Sequence, residues 1–197
     1  MDGAEGIDDL GRPDALALLV GNTRALWPHF VHALDQRAPL TAAADPVDTY
    51  VVEAVTAALD GIDTRHSVRF GHVTEPEAVP IQKLAVAAGL AHLSPSHLSI
   101  HPEHGPWIAL RALVVLDVAG PDGPRPSAPD PCTPCDKPCV EALERALELT
   151  GQSGAIEPRW EAWLAVRDAC PQGRASRYSD DQVRYHYTKL RRLLPYG

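Results

Sequence analysis

The chain is 197 residues long, with 26 acidic and 18 basic side chains and a formal net charge of −8. That length suits a single domain, which buries roughly seventy per cent of the surface its unfolded chain exposes. The acidic balance argues against non-specific nucleic-acid binding, which runs on excess Lys and Arg, and no apolar run reaches the roughly eighteen residues of a membrane span. The start, Met1 to Asp9, carries Asp2, Glu5, Asp8 and Asp9. It has neither the basic start nor the apolar core of a secretory signal, so a cytoplasmic protein is expected.

Residues 1–13 read as a flexible acidic leader, and 14–197 as one domain. Ala15–Val20 (ALALLV) is a strand-sized apolar run closed by Gly21-Asn22. The spacing of Leu26, Trp27, Phe30, Val31 and Leu34 predicts a helix, with Pro28 in its tolerant first turn. Asp45-Pro46 opens a second helix, Asp45 capping, Pro46 at the first helical position and Asp48 favouring the positive end. Val47, Val51, Val55, Ala58, Leu59 and Ile62 form its buried stripe. Residues 65–73 alternate as a half-buried strand, and Pro80–Leu90 is a helix stopped by Gly89.

Leu98–Ile100 and Ile108–Val118 read as two hairpin-forming strands around a compact 101–107 turn, His-Pro-Glu-His-Gly-Pro-Trp. Of 19 prolines, seven fall between Gly120 and Cys139, so residues 119–139 form a Pro/Cys-rich loop that neither helix nor central strand can hold. Helices follow at Cys139–Thr150 and Arg159–Asp168, and a last one runs to about Leu194. That last helix opens with a capping box in which the Ser179 hydroxyl and the Gln182 side chain satisfy the first free amides. Strands in the middle with helices around them imply an α+β or α/β fold with a mixed or antiparallel sheet.

Three constellations carry chemistry. The 101–107 turn is stiffened by Pro102 and Pro106, with Gly105 free to adopt a left-handed backbone. It is either a rigid loop presenting an imidazole and the Trp107 face to a planar ligand, or a well-packed turn. Cys132, Cys135 and Cys139, with the distant Cys170-Pro171, are four thiols in a reducing compartment. They could ligate an iron–sulfur cluster or zinc, or remain free thiols or a Cys132–Cys135 redox pair. Among the C-terminal basic residues, Arg184, Lys189, Arg191 and Arg192 read as solvated or paired. Arg167 and Arg177 sit beside aromatic residues and suit an anionic ligand group. His29, His32 and His66 read as surface or packing residues.

Several blocks resemble, in order, the cblC-class cobalamin-processing proteins. They are Asp45-Pro-Val-Asp48, Pro80-Ile-Gln-Lys-Leu-Ala-Val-Ala-Ala-Gly-Leu-Ala91, and the run from Ser99-Ile-His-Pro-Glu-His-Gly-Pro-Trp107 to Leu116. Trp163-Leu-Ala-Val-Arg-Asp-Ala169 and Arg177-Tyr-Ser-Asp-Asp-Gln182 follow. The middle block, Ala88–Leu116, is also similar to the cobalamin-binding part of epoxyqueuosine reductases. The resemblance implies a nitroreductase-like α+β fold that holds cobalamin base-off. It further implies a cyanocobalamin reductase or alkylcobalamin dealkylase that removes the upper axial ligand with a small thiol or electron donor, then passes the corrinoid to an acceptor enzyme.

On that resemblance, Ile100, His101, Pro102, Gly105, Pro106 and Trp107 would contact the corrin, joined by Arg167, Arg177 and Tyr178. The cblC-class pattern lacks the cysteine triad. Epoxyqueuosine reductases carry iron–sulfur clusters after the corrinoid block, and four cysteines suffice for one [4Fe-4S] cluster feeding electrons to cobalt, zinc being the alternative. Two further readings remain open: a corrinoid carrier without turnover, and a corrinoid and iron–sulfur reductase acting on another substrate.

Overall fold

Strand β5 (Ala109–Ala119) organises the molecule. Its centre, Ala112–Leu116, is buried on both faces, which is why the sequence there is a continuous apolar run rather than an alternation. It pairs antiparallel with β1 (Ala15–Asn22) on one side and β2 (His66–Phe70) on the other. The computed structural model describes residues 7–73, 78–124, 126–151, 156 and 159–194.

Helix α3 (Pro46–Leu59) covers one face of this sheet, laying Val51, Val55 and Leu59 on Val114 and Leu116. Its start is built as the sequence predicts: the Asp48 amide donates to Asp45 Oδ1 at 3.2 Å, and Pro46 fills the first position. On the opposite face Leu10, Leu113 and Val115 pack together, with Leu84 of α4 (Ile81–Ala87) against them. Residues 7–13 therefore do not behave as the expected flexible leader. Leu10 is buried, and Arg12 Nε donates to Asp117 Oδ1 at 2.8 Å. The leader's first six residues lie outside those described.

Helices α1 (Leu26–Gln36) and α2 (Ala38–Ala42) join the start of α3 in a second core, where Phe30, Leu34, Leu40 and Val47 meet Tyr185 and Leu194. Helices α5 (Pro138–Thr150) and α6 (Trp160–Asp168) pack on each other through Ala146 and Val166. Helix α7 (Asp180–Thr188) ends earlier than predicted. Lys189 adopts a left-handed backbone, φ 53°, and a short 3-10 turn at Arg191–Leu193 follows. Its capping box is half made: Ser179 Oγ accepts from the Gln182 amide at 3.3 Å, but Gln182 Oε1 is buried without a partner.

The middle strands correct the expected hairpin. Ser99–Ile100 (β4) pairs with His92–Leu93 (β3), a strand too short to show periodicity, in a separate two-stranded sheet. The 101–107 turn thus passes from the small sheet to the large one. Residues 120–124 and 126–137 form irregular loop, as their prolines require. The architecture is α+β, and among the described residues no helix is long and apolar enough to cross a membrane.

Candidate functional site

A cleft of about 590 Å³ opens where β1 and β5 end beside the 101–107 turn. Leu19, Leu26, Leu90, Ile108 and Leu110 give it apolar walls, while Asn22, His29, His101 and His104 supply polar groups. The β1–β5 register slips between Val20 and Gly21, redirecting the strand end that borders the cleft. Gly21 lets the strands approach closely there, since a Cβ would come within 3.0 Å of the Ala109 carbonyl oxygen. Arg111 ties this end to α3: its Nε donates to Asn22 Oδ1 at 2.6 Å and its Nη1 to Asp48 Oδ1 at 3.2 Å. Two of the sequence blocks quoted above, around Asp48 and around Arg111, therefore meet at the cleft.

The turn is a tight bridge, His101 and Gly105 exchanging backbone hydrogen bonds of 2.9 and 2.8 Å. The His101 and His104 rings stack with centroids 4.8 Å apart. His101 Nδ1 accepts from the Glu103 amide at 3.1 Å and the His104 amide at 3.2 Å. An acceptor Nδ1 puts the ring proton of neutral His101 on Nε2. Burial lowers the His101 pKa and the neighbouring His104 lowers it further, so the neutral form is favoured. This imidazole offers the cleft a hydrogen-bond donor, not a lone pair for a metal.

The other expected ligand residues divide in two. His101 lines the cleft, whereas Ile100, Gly105, Pro106 and Trp107 are buried and Pro102 is exposed. Trp107 is 1% exposed, so of the two readings of the turn its tryptophan follows the well-packed one. It packs edge-on to buried Tyr178 with centroids 5.5 Å apart, beneath the guanidinium of Arg167 at 5.0 Å. Arg167 Nη2 donates to the Pro106 and Ile108 carbonyls at 2.6 and 3.3 Å, so this arginine braces the turn from behind. Arg177 is held by Asp168 at 2.7 Å and Asp180 at 3.0 Å. The hydrogen bond it donates to Asp168 raises its pKa, with burial opposing.

Sequence reading missed Asn22, His29, Tyr50 and Leu90 as lining residues. Each comes from a different element, so no local pattern marks them. Of the four cysteines, Cys132 and Cys135 are half-buried and Cys139 and Cys170 buried, all as free thiols. Among the described residues, the ligand atoms that converge with Cys132 to within 4.8 Å of one another are those of His92 and Asp130.

No family model matches this sequence, and no curated protein does. Among solved structures, the chain is similar to the crystal structure of a C. elegans B12-trafficking protein CblC, a human MMACHC homologue. Identity is 17%, and the match covers 97% of this chain and 84% of that one with a TM-score of 0.67. At that identity the likeness is one of fold, and the chain has the nitroreductase-like α+β fold that its blocks imply.

Proposed function

We propose that this protein binds cobalamin base-off in the cytoplasm and reductively removes its upper axial ligand, with a small thiol or another electron donor as co-substrate. The observation that carries this reading is the cleft itself: apolar walls and a rim of imidazoles, in the fold of a B12-trafficking protein. The residues fit a corrinoid. Leu19, Leu90, Ile108 and Leu110 suit a large flat macrocycle, and His101 Nε2–H is a donor for the carboxamides that fringe it.

The same tautomer bears on the chemistry. Cobalt supplies the redox step. This chain's part is to bind the ring and keep water from its face. A His101 whose Nδ1 is engaged by two amides does not replace the displaced nucleotide base. A corrinoid with fewer axial donors accepts electrons more readily, since each donor stabilises the oxidised metal. Arg167 acts from behind the turn, fixing the carbonyls of Pro106 and Ile108, and Tyr178 packs beside it against the Trp107 ring.

Mixing the full chain with cyanocobalamin tests both steps. Base-off binding shifts the long-wavelength absorption band to the blue, and adding glutathione or a reduced flavin under argon then releases cyanide. An unchanged spectrum at saturating protein rejects the corrinoid reading. A blue shift without cyanide release makes the protein a carrier.

A further inference from the structure

Away from the cleft, three side chains of different types converge. His92 Nε2, a carboxylate oxygen of Asp130 and Cys132 Sγ all lie within 4.8 Å of one another. His92 comes from β3, where it pairs with Ile100, and the other two come from the Pro-rich loop. His92 Nε2 and Asp130 Oδ1 are 3.3 Å apart.

The loop holds this arrangement without help from a ligand. Asp130 Oδ1 accepts from the amides of Cys132 at 2.8 Å and Thr133 at 3.1 Å, and Oδ2 accepts from Thr133 Oγ1 at 2.6 Å. The Cys135 amide donates to the Cys132 carbonyl at 3.2 Å, closing the next turn. Upstream, Pro126 lies so close to Gly89 that a Cβ on the glycine would collide with its backbone.

We propose that His92, Asp130 and Cys132 bind one zinc-class divalent ion, which clips the Pro-rich loop to the β3–β4 sheet. Mixed nitrogen, oxygen and sulfur donors on one centre suit zinc, which takes His, Asp and Cys at about 2.0–2.3 Å with water completing a tetrahedron. An iron–sulfur cluster instead calls for thiolates on separate irons. Cys139, Cys170 and Cys135 lie near enough to raise the Cys132 pKa, but the described ligand atoms that all lie within 4.8 Å of one another pair Cys132 with an imidazole and a carboxylate. Charge also balances: carboxylate and thiolate together cancel a divalent ion, so the occupied site is neutral.

In the metal-free protein, burial pushes the Cys132 thiol up and Asp130 adds to that. Binding therefore releases the Cys132 proton to solvent as the sulfur–metal bond forms. The site is independent of the corrinoid reading, and either can fail alone.

The test is a titration of the chelator-stripped full chain with cobalt(II), a coloured stand-in for zinc. One ion should bind per chain, with a thiolate-to-cobalt charge-transfer band and the intense visible bands of a tetrahedral site. His92→Gln and Cys132→Ser should each weaken binding on the order of tenfold or more, with Cys132→Ser also abolishing the charge-transfer band. Far-UV circular dichroism confirms that both variants fold. Cys135→Ser should bind as the parent does. Absence of cobalt binding, or binding indifferent to His92→Gln, overturns the proposal. So does an iron and sulfide chromophore lost in Cys135→Ser but kept in His92→Gln.

Discussion

Gly105 and Gly173 face each other backbone to backbone, both with left-handed φ, 56° and 64°. A Cβ on Gly105 would run into the Gln172 carbonyl, and one on Gly173 into the His104 carbonyl group. The contact locks the turn to the segment before α7, where Ser176 Oγ also meets His104 Nδ1 at 2.9 Å. Gly173→Ala should therefore cost about 2 kcal/mol or more, since it combines an unfavourable φ with a collision against backbone. Urea unfolding measures this. A loss under about 0.5 kcal/mol, the scale of an ordinary surface substitution, would show that the two segments part easily.

Trp107→Ala should act on the fold. Removing a fully buried Trp costs about 3–5 kcal/mol, and here it also strands the Arg167 guanidinium above an empty space. His101→Ala should act on ligand binding, because its ring lines the cleft. The expected pattern is a large drop in urea midpoint for Trp107→Ala, and weaker cobalamin binding with a smaller stability change for His101→Ala. Normal cobalamin affinity in folded His101→Ala would remove that residue from the site.

Stability should also respond to the His101 proton. Its folded pKa is lowered by burial and by His104, below an unfolded value of about 6.5. Below that pH the unfolded chain binds more protons than the native one, so the contribution to stability falls as pH drops from 6.5 through the folded pKa. Urea midpoints measured across this range should fall less steeply for His101→Ala than for the parent. Identical slopes would show that the ring titrates alike in both states.

Asp45 works in the opposite sense. Burial pushes its carboxyl up, but hydrogen bonds from Lys189 and from the amides of Asp48 and Val47 outweigh that and hold it below its ordinary range. Its contribution is present above about pH 3.9 and lost as pH falls through the lowered folded value. Asp45→Ala should cost about 1 kcal/mol at neutral pH as a lost helix cap. Asp45→Asn, which keeps a capping oxygen, should retain most of that stability and lose less of it on acidification.

Most elements were legible because local chemistry decided them. Asp45-Pro46 announces α3, Gly89 its left-handed stop after α4, and the proline density the 120–137 loop. What was illegible was long-range. Nothing near Leu98–Ile100 says that its partner is His92–Leu93 rather than the following strand, since either could lie antiparallel to it and the pairing is only two residues long. Trp107 illustrates the same gap at the site: the turn alone left open whether its ring is presented or packed, and residues more than fifty positions later, Tyr178, Val183 and Arg167 among them, bury it. The Cys132 environment was missed likewise, because His92 lies forty residues upstream in an element that periodicity does not reveal.

The passage of the 101–107 turn from one sheet to the other gives the cleft an unusual mechanical character. Among the described residues its two sides share no ladder hydrogen bonds. Spreading them would leave every strand paired, and the cost would fall on the Gly105–Gly173 contact and the two carbonyls that Arg167 clasps. The grip on whatever fills the seam is thus set by a few contacts behind the turn, and can be tuned there without unravelling the sheet.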